Sequence, residues 1–154
     1  MAGASELPVH EQAVIDAAMA ILRNHLLKPG GYADAPLAAR TLALLQIGRR
    51  DRECLLVLFL DTQLRVIATE EIFNGTLKQT TIYPREIVRA AMRHNAAGVI
   101  LAHNHPSGVA EPSKEDIALT KTLKTALALV DVDTLDHLVI AGDRVASLAS
   151  MGMM

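Results

Sequence analysis

Residues 96–116 read AAGVILAHNHPSGVAEPSKED, and this stretch decides the fold. Residues 96–102 are small or branched and apolar, the composition of a short buried strand. A loop rich in Pro, Gly and Ser follows, and Ser113-Lys114-Glu115-Asp116 then opens a helix with the spacing of a capping box. His103 and His105 leave the strand end two residues apart, so strand alternation points both side chains the same way. Asp116 sits just inside the new helix. A strand end that faces a helix start is a common place for a site in an α/β fold.

Two imidazoles and one carboxylate can supply three ligands to a single divalent metal. The fourth position then stays open to water, as in a catalytic zinc centre, whereas a structural zinc is usually closed by four protein ligands. A competing reading makes Asp116 only the partner of Ser113 in the capping box and each histidine a packed core residue. Packing accounts poorly for two histidines one residue apart, followed by Pro106 and then by Asp116, and the metal reading is preferred.

Working outward, residues 9–27 place Val14, Ile15, Ala18, Ile21 and Leu22 at helical spacing, and Lys28-Pro29-Gly30-Gly31 stops that helix. A second helix is expected from Pro36 to about Ile47. The run from Cys54 to Leu60 is apolar without alternation, which fits a central strand covered on both faces. Asp61-Thr62-Gln63 reads as a turn into a strand over 64–68, with a further strand over 70–74. Pro84 suits the first turn of a helix that carries Ile87, Val88, Ala91 and Met92 inward. A helix over 113–128 and two strands near 133–140 and 144–148 complete a mixed sheet flanked by helices, an α/β domain. His137 lies among apolar residues and reads as a core histidine or one that supports the site. His10, His25 and His94 read as surface residues.

The stretch His103-Asn104-His105-Pro106, six residues, Ser113, two residues and Asp116 resembles the signature of the RadC family, within the JAB/MPN (JAMM) metallopeptidase-like domains. Phe73-Asn74-Gly75-Thr76-Leu77, Pro84-Arg85-Glu86-Ile87 and Leu135-Asp136-His137 are similar to RadC segments as well, so the resemblance runs from about Asp51 to about Leu148. It implies the three-layer, cytidine-deaminase-like JAB/MPN fold and a zinc site formed by His103, His105 and Asp116. It also implies a glutamate before an early strand that holds the metal-bound water, a position matched here by Glu53. On residue type alone Glu53 is a solvated strand-end charge, and Glu70 and Glu71 are rivals. Hydrolysis of an amide or isopeptide bond follows, with Glu53 as general base and the Ser113 hydroxyl as donor to the oxyanion. The domain is expected over 51–150, with 1–50 a helical segment packed on it. Full-length RadC proteins carry an upstream helix-hairpin-helix, which residues 1–50 do not resemble; a standalone form is expected.

With 154 residues, 51% of them hydrophobic, the chain can bury one substantial core. Its net charge of −2 and its two Tyr, two Phe and no Trp offer neither a basic stripe nor stacking platforms, so nucleic acid is not an expected partner. The letters His103-Asn104-His105 also suggest an HNH nuclease, but there the residues are dispersed over a ββα unit. The single cysteine, Cys54, excludes an internal disulfide and a two-cysteine deaminase zinc site, and inside an apolar strand it reads as an inert buried thiol. No apolar run is long enough for a membrane span and no signal peptide is evident, so a cytoplasmic protein is expected. The expected partner is a protein or peptide substrate. A non-hydrolytic metal-binding interaction module and a DNA-repair-associated protein are the alternatives.

Overall fold

Seven consecutive apolar residues need cover on both faces, and that need places strand β1 (Cys54–Leu60) inside the sheet with every residue buried. A computed structural model describes residues 7–26, 35–74 and 82–154. Around β1 stand β2 (Val66–Asn74), β3 (Gly98–Asn104), β4 (Asp133–Ala141) and β5 (Arg144–Ser147), in the order β2-β1-β3-β4-β5. Every neighbouring pair is antiparallel except β3 and β4. A parallel pair cannot be joined by a hairpin, and helix α4 (Lys114–Ala128) makes the crossover.

Alternation sorts the core into two halves. Leu56, Leu58 and Leu60 of β1, with Ile100 and Ala102 of β3, face helices α1 (Val9–Leu26) and α2 (Ala35–Ile47), where Met19, Leu42 and Ile47 are buried. Leu55, Val57 and Phe59, with Val99 and Leu101, face α3 (Pro84–Arg93) and α4, where Ile87, Leu123 and Leu127 are buried. The protein is therefore a three-layer α/β domain, as the sequence predicts. Cys54 lies in the first half as a buried thiol, and burial followed by the charge of Glu71 pushes its pKa up to about 12.

Several expectations need correction. The two strands predicted over 64–68 and 70–74 are one strand, β2, because β1 runs beside it without a break and Thr69 pairs with Leu58. Strand β3 lies two residues later than predicted, since β4 continues alongside as far as Ile140 and takes Asn104 into the ladder. On α1, Val14 and Ile21 are 68% and 58% exposed; this helix meets α2 along a narrow stripe centred on Ile15 and Met19. Met92 is 59% exposed, because α3 turns Ile87, Ala90 and Ala91 inward instead. His94 is not a plain surface residue: its ring packs on Phe59 and contacts Glu70. Lys28 to Gly31, the side chains of Leu22 and His25, and most of the Phe73 to Leu77 segment lie outside the described residues.

Candidate metal centre

Strand β3 puts His103 on the same face as Val99 and Leu101, at the end where the apolar layer under α4 stops. The chain then leaves the sheet, with the N–H of His105 donating to the carbonyl of Ile140 at 2.7 Å. Gly108, at φ +83°, adopts a backbone that other residues rarely reach, and its N–H donates back to the carbonyl of His105 at 3.0 Å. This tight turn brings the carbonyl of Val109 to 2.8 Å from Nδ1 of His105. A carbonyl can only accept, so the His105 proton sits on Nδ1, and the neutral ring presents a lone pair at Nε2.

Helix α4 supplies the third residue. Its capping box is complete: Ser113 Oγ accepts from the N–H of Asp116 at 3.1 Å, and Asp116 Oδ2 accepts from the N–H of Ser113 at 2.7 Å. The capping and metal readings of Asp116 are thus compatible, since the box fixes the carboxylate orientation that the cluster needs. Asp116 Oδ1 lies 3.2 Å from His103 Nε2, Asp116 Oδ2 lies 3.3 Å from His105 Nε2, and the two Nε2 atoms are 2.8 Å apart. His103 and Asp116 are buried, while the His105 side chain is 14% exposed and marks the open side. Among the described residues these three form a group that could hold a metal ion, with one ligand atom from each lying within 4.8 Å of the others.

The electrostatics agree with a cation-seeking site. Burial works against the Asp116 carboxylate, but hydrogen bonding from His103 and His105 in their protonated forms outweighs it and holds the pKa well below the usual range. The His105 pKa is raised, first by its hydrogen bond to Asp116, with burial opposing and the Val109 carbonyl, Asp116 and the Glu53 charge assisting. Behind the cluster, His137 of β4 is fully buried, and burial pushes its pKa well below the usual value. Its Nε2 lies 2.8 Å from His103 Nδ1, and its Nδ1 lies 2.6 Å from the Thr120 hydroxyl of α4.

Glu53 is brought to the same end of the sheet. Leu55 pairs with His103 in the β1–β3 register, so the start of β1 lies at the cluster end, and the Glu53 charge acts on His105. The approach of this segment is pinned by Asn104, which sequence reasoning missed. Its Oδ1 accepts from the N–H of Cys54 at 2.7 Å, and its Nδ2 donates to the carbonyls of Arg50 at 3.1 Å and Arg52 at 2.9 Å. A signal was present in the sequence, because an amide at an inward position of a buried strand must find partners. The rivals stand elsewhere: Glu70 binds Arg93 at 2.6 Å and touches His94, and Glu71 binds Arg50 at 2.7 Å, both on β2. Replacing Asn104 with Leu should cost about 1–3 kcal/mol, because a buried N–H loses its partner. Urea unfolding would measure it, and an unchanged midpoint would refute the pinning role.

A family model described as the RadC-like JAB domain matches residues 33–153, which includes α2 and the whole sheet. The chain is 51% identical over 143 residues to a protein of Leptothrix cholodnii named UPF0758 protein, covering 93% of this chain and 64% of that one. A Polaromonas protein of the same name is 51% identical over 142 residues, covering 92% and 63%, and one from Nitrosomonas europaea, named UPF0758 protein NE1464, is 49% identical over 142 residues with the same coverage. The chain thus spans a little under two thirds of the length of these curated relatives. Among the described residues no helix is long and apolar enough to cross a membrane. With His103, His105 and Asp116 gathered at one end of a three-layer sheet and the family model covering most of its length, the chain belongs to the RadC-like JAB domain family.

Proposed function

We propose that this chain is a zinc-dependent hydrolase that cleaves an amide or isopeptide bond in a protein or peptide substrate. One observation carries the reading. His103 Nε2, His105 Nε2 and both Asp116 oxygens converge within 2.8–3.3 Å contacts, and the His105 proton is already committed to Val109. When the rings are neutral with their protons on Nδ1, these acceptors repel one another, and a cation among them removes the repulsion. Two imidazole nitrogens and a carboxylate oxygen suit zinc, and the exposed edge at His105 leaves room for a substrate.

Zinc held there would acidify a water molecule and polarise the substrate carbonyl. The Glu53 carboxylate, whose charge acts on His105, would accept the water's proton and return it to the departing amine. Ser113 accepts a hydrogen bond through Oγ, so its own hydroxyl proton stays available to donate to the developing oxyanion. The capping role foreseen for Ser113 therefore does not compete with that donation.

The test is metal analysis of protein purified without added metal, followed by cleavage trials with a peptide library and isopeptide-linked conjugates. About one zinc per chain is expected, with cleavage lost on chelation and restored by zinc. Protein that takes up no zinc after equilibration would overturn the reading. Full zinc occupancy without cleavage across the panel would favour the metal-binding interaction module.

A further inference from the structure

We propose that Thr120 and His137 are positioning residues that fix the tautomer of His103, so that its Nε2 lone pair faces Asp116 and His105. This inference rests on the proposed role of His103 as a metal ligand. It begins at a hydroxyl with a single proton. Thr120 Oγ1 lies 2.6 Å from the backbone carbonyl of Asp116 and 2.6 Å from Nδ1 of His137. Only a proton makes so short an approach between two oxygens favourable, and the carbonyl has none to give. The Thr120 proton therefore points to Asp116, and the Thr120 oxygen can only accept from His137.

The remaining steps follow without choice. His137 carries its proton on Nδ1, facing Thr120. It is fully buried, and its ring nitrogens meet a hydroxyl and another imidazole rather than a carboxylate, so a second proton would place an unpaired charge in the core. Its Nε2 is then a lone pair 2.8 Å from His103 Nδ1, and His103 must donate from that nitrogen. A free histidine side chain prefers the opposite tautomer, with the proton on Nε2. In the neutral ring the relay reverses that preference and leaves the lone pair on His103 Nε2, 3.2 Å from Asp116 Oδ1.

The relay is built from the parts of the fold that make the parallel crossover. Asp116 and Thr120 sit one turn apart on α4, and His137 is the β4 partner of Leu101, two residues before His103. His105 reaches the same tautomer by an independent route, through the carbonyl of Val109. Supporting hydrogen bonds of this kind orient metal-binding imidazoles in general, and their loss costs about 10–100-fold in metal affinity.

Long-range ¹H–¹⁵N correlation spectra of the metal-free protein read the tautomers directly, at a pH where the rings are neutral. The expected result is an Nδ1–H pattern for both His103 and His137 in the wild type. In Thr120→Val, which keeps the shape and removes the acceptor, both should move to Nε2–H. Zinc titration of the same variant should show affinity about 10–100-fold weaker, with Thr120→Ser restoring both readouts. A threonine that merely filled space would change stability without moving the tautomers. An Nε2–H pattern on His103 in the wild type would overturn the relay even if Thr120→Val failed to fold. An Nδ1–H pattern kept in Thr120→Val, with wild-type zinc affinity, would overturn it too. Wild-type protein that binds no zinc would instead sink the ligand reading of His103, and the metal-free spectra would still decide the relay.

Discussion

Replacing His103 and His105 together with Ala is expected to abolish zinc uptake while the domain stays folded. Two of three ligands are lost, and a lone buried carboxylate cannot hold the metal against water. The fold should survive, since the core is made by the two apolar layers on either side of β1 and neither depends on these rings. A stability measurement gives a second readout. Zinc that binds only the folded state stabilises it by about 2.7 kcal/mol at a hundred times its dissociation constant, and this gain should vanish in the double variant. Without zinc the double variant should melt lower than the wild type, because the buried Asp116 carboxylate and His137 Nε2 each lose a partner. Undiminished zinc content in the double variant would sink the assignment. The wild-type affinity should also depend on pH in a definite direction. The metal takes only the neutral ring, and the hydrogen bond to Asp116 raises the His105 pKa. Affinity should be full above that raised value and fall by about tenfold for each pH unit below it. Equal affinity across that range would show that His105 is not a ligand.

Residues that announce themselves by type and spacing were legible in the sequence. The unbroken apolar run from Cys54 to Leu60 gives β1 its central place, and the spacing from His103 to Asp116 gives the cluster. What escaped depends on pairing between distant segments. Asn104 matters because Cys54 and the carbonyls of Arg50 and Arg52 lie beside it, some fifty residues earlier in the chain. Thr120 has no signature, since a threonine on a helix face is commonplace, and its meaning comes from His137 on the adjoining strand. Val14, Ile21 and Met92 failed for a related reason. Helical periodicity says which residues share a face, but how wide a stripe the neighbour covers is decided by tertiary packing. The capping box and the metal cluster do not exclude each other. One carboxylate has two oxygens and several lone pairs, enough to serve the backbone and the cluster at once.

The same reasoning separates Glu53 from the other acidic residues, and Glu53→Gln tests the separation. Glu53 directly precedes β1 at the end of the sheet where Leu55 pairs with His103, and its charge already helps to raise the His105 pKa. Glutamine keeps the size and the hydrogen-bonding oxygen but cannot take up a proton at neutral pH. If Glu53 is the base, the variant should hold zinc as the wild type does and lose hydrolysis by about 10²–10⁴-fold, the range for a positioned acid–base group. Zinc content and turnover must be measured on the same samples, since a fall in both would make Glu53 a ligand or a structural support instead. Glu70→Gln supplies the contrast. It breaks the contacts with Arg93 and His94 on the surface of β2, so a change in stability within about 1 kcal/mol is expected and turnover should be preserved. A Glu53→Gln variant that cleaves as fast as the wild type would remove Glu53 from the mechanism. Loss of turnover in Glu70→Gln with zinc retained would move the base to β2.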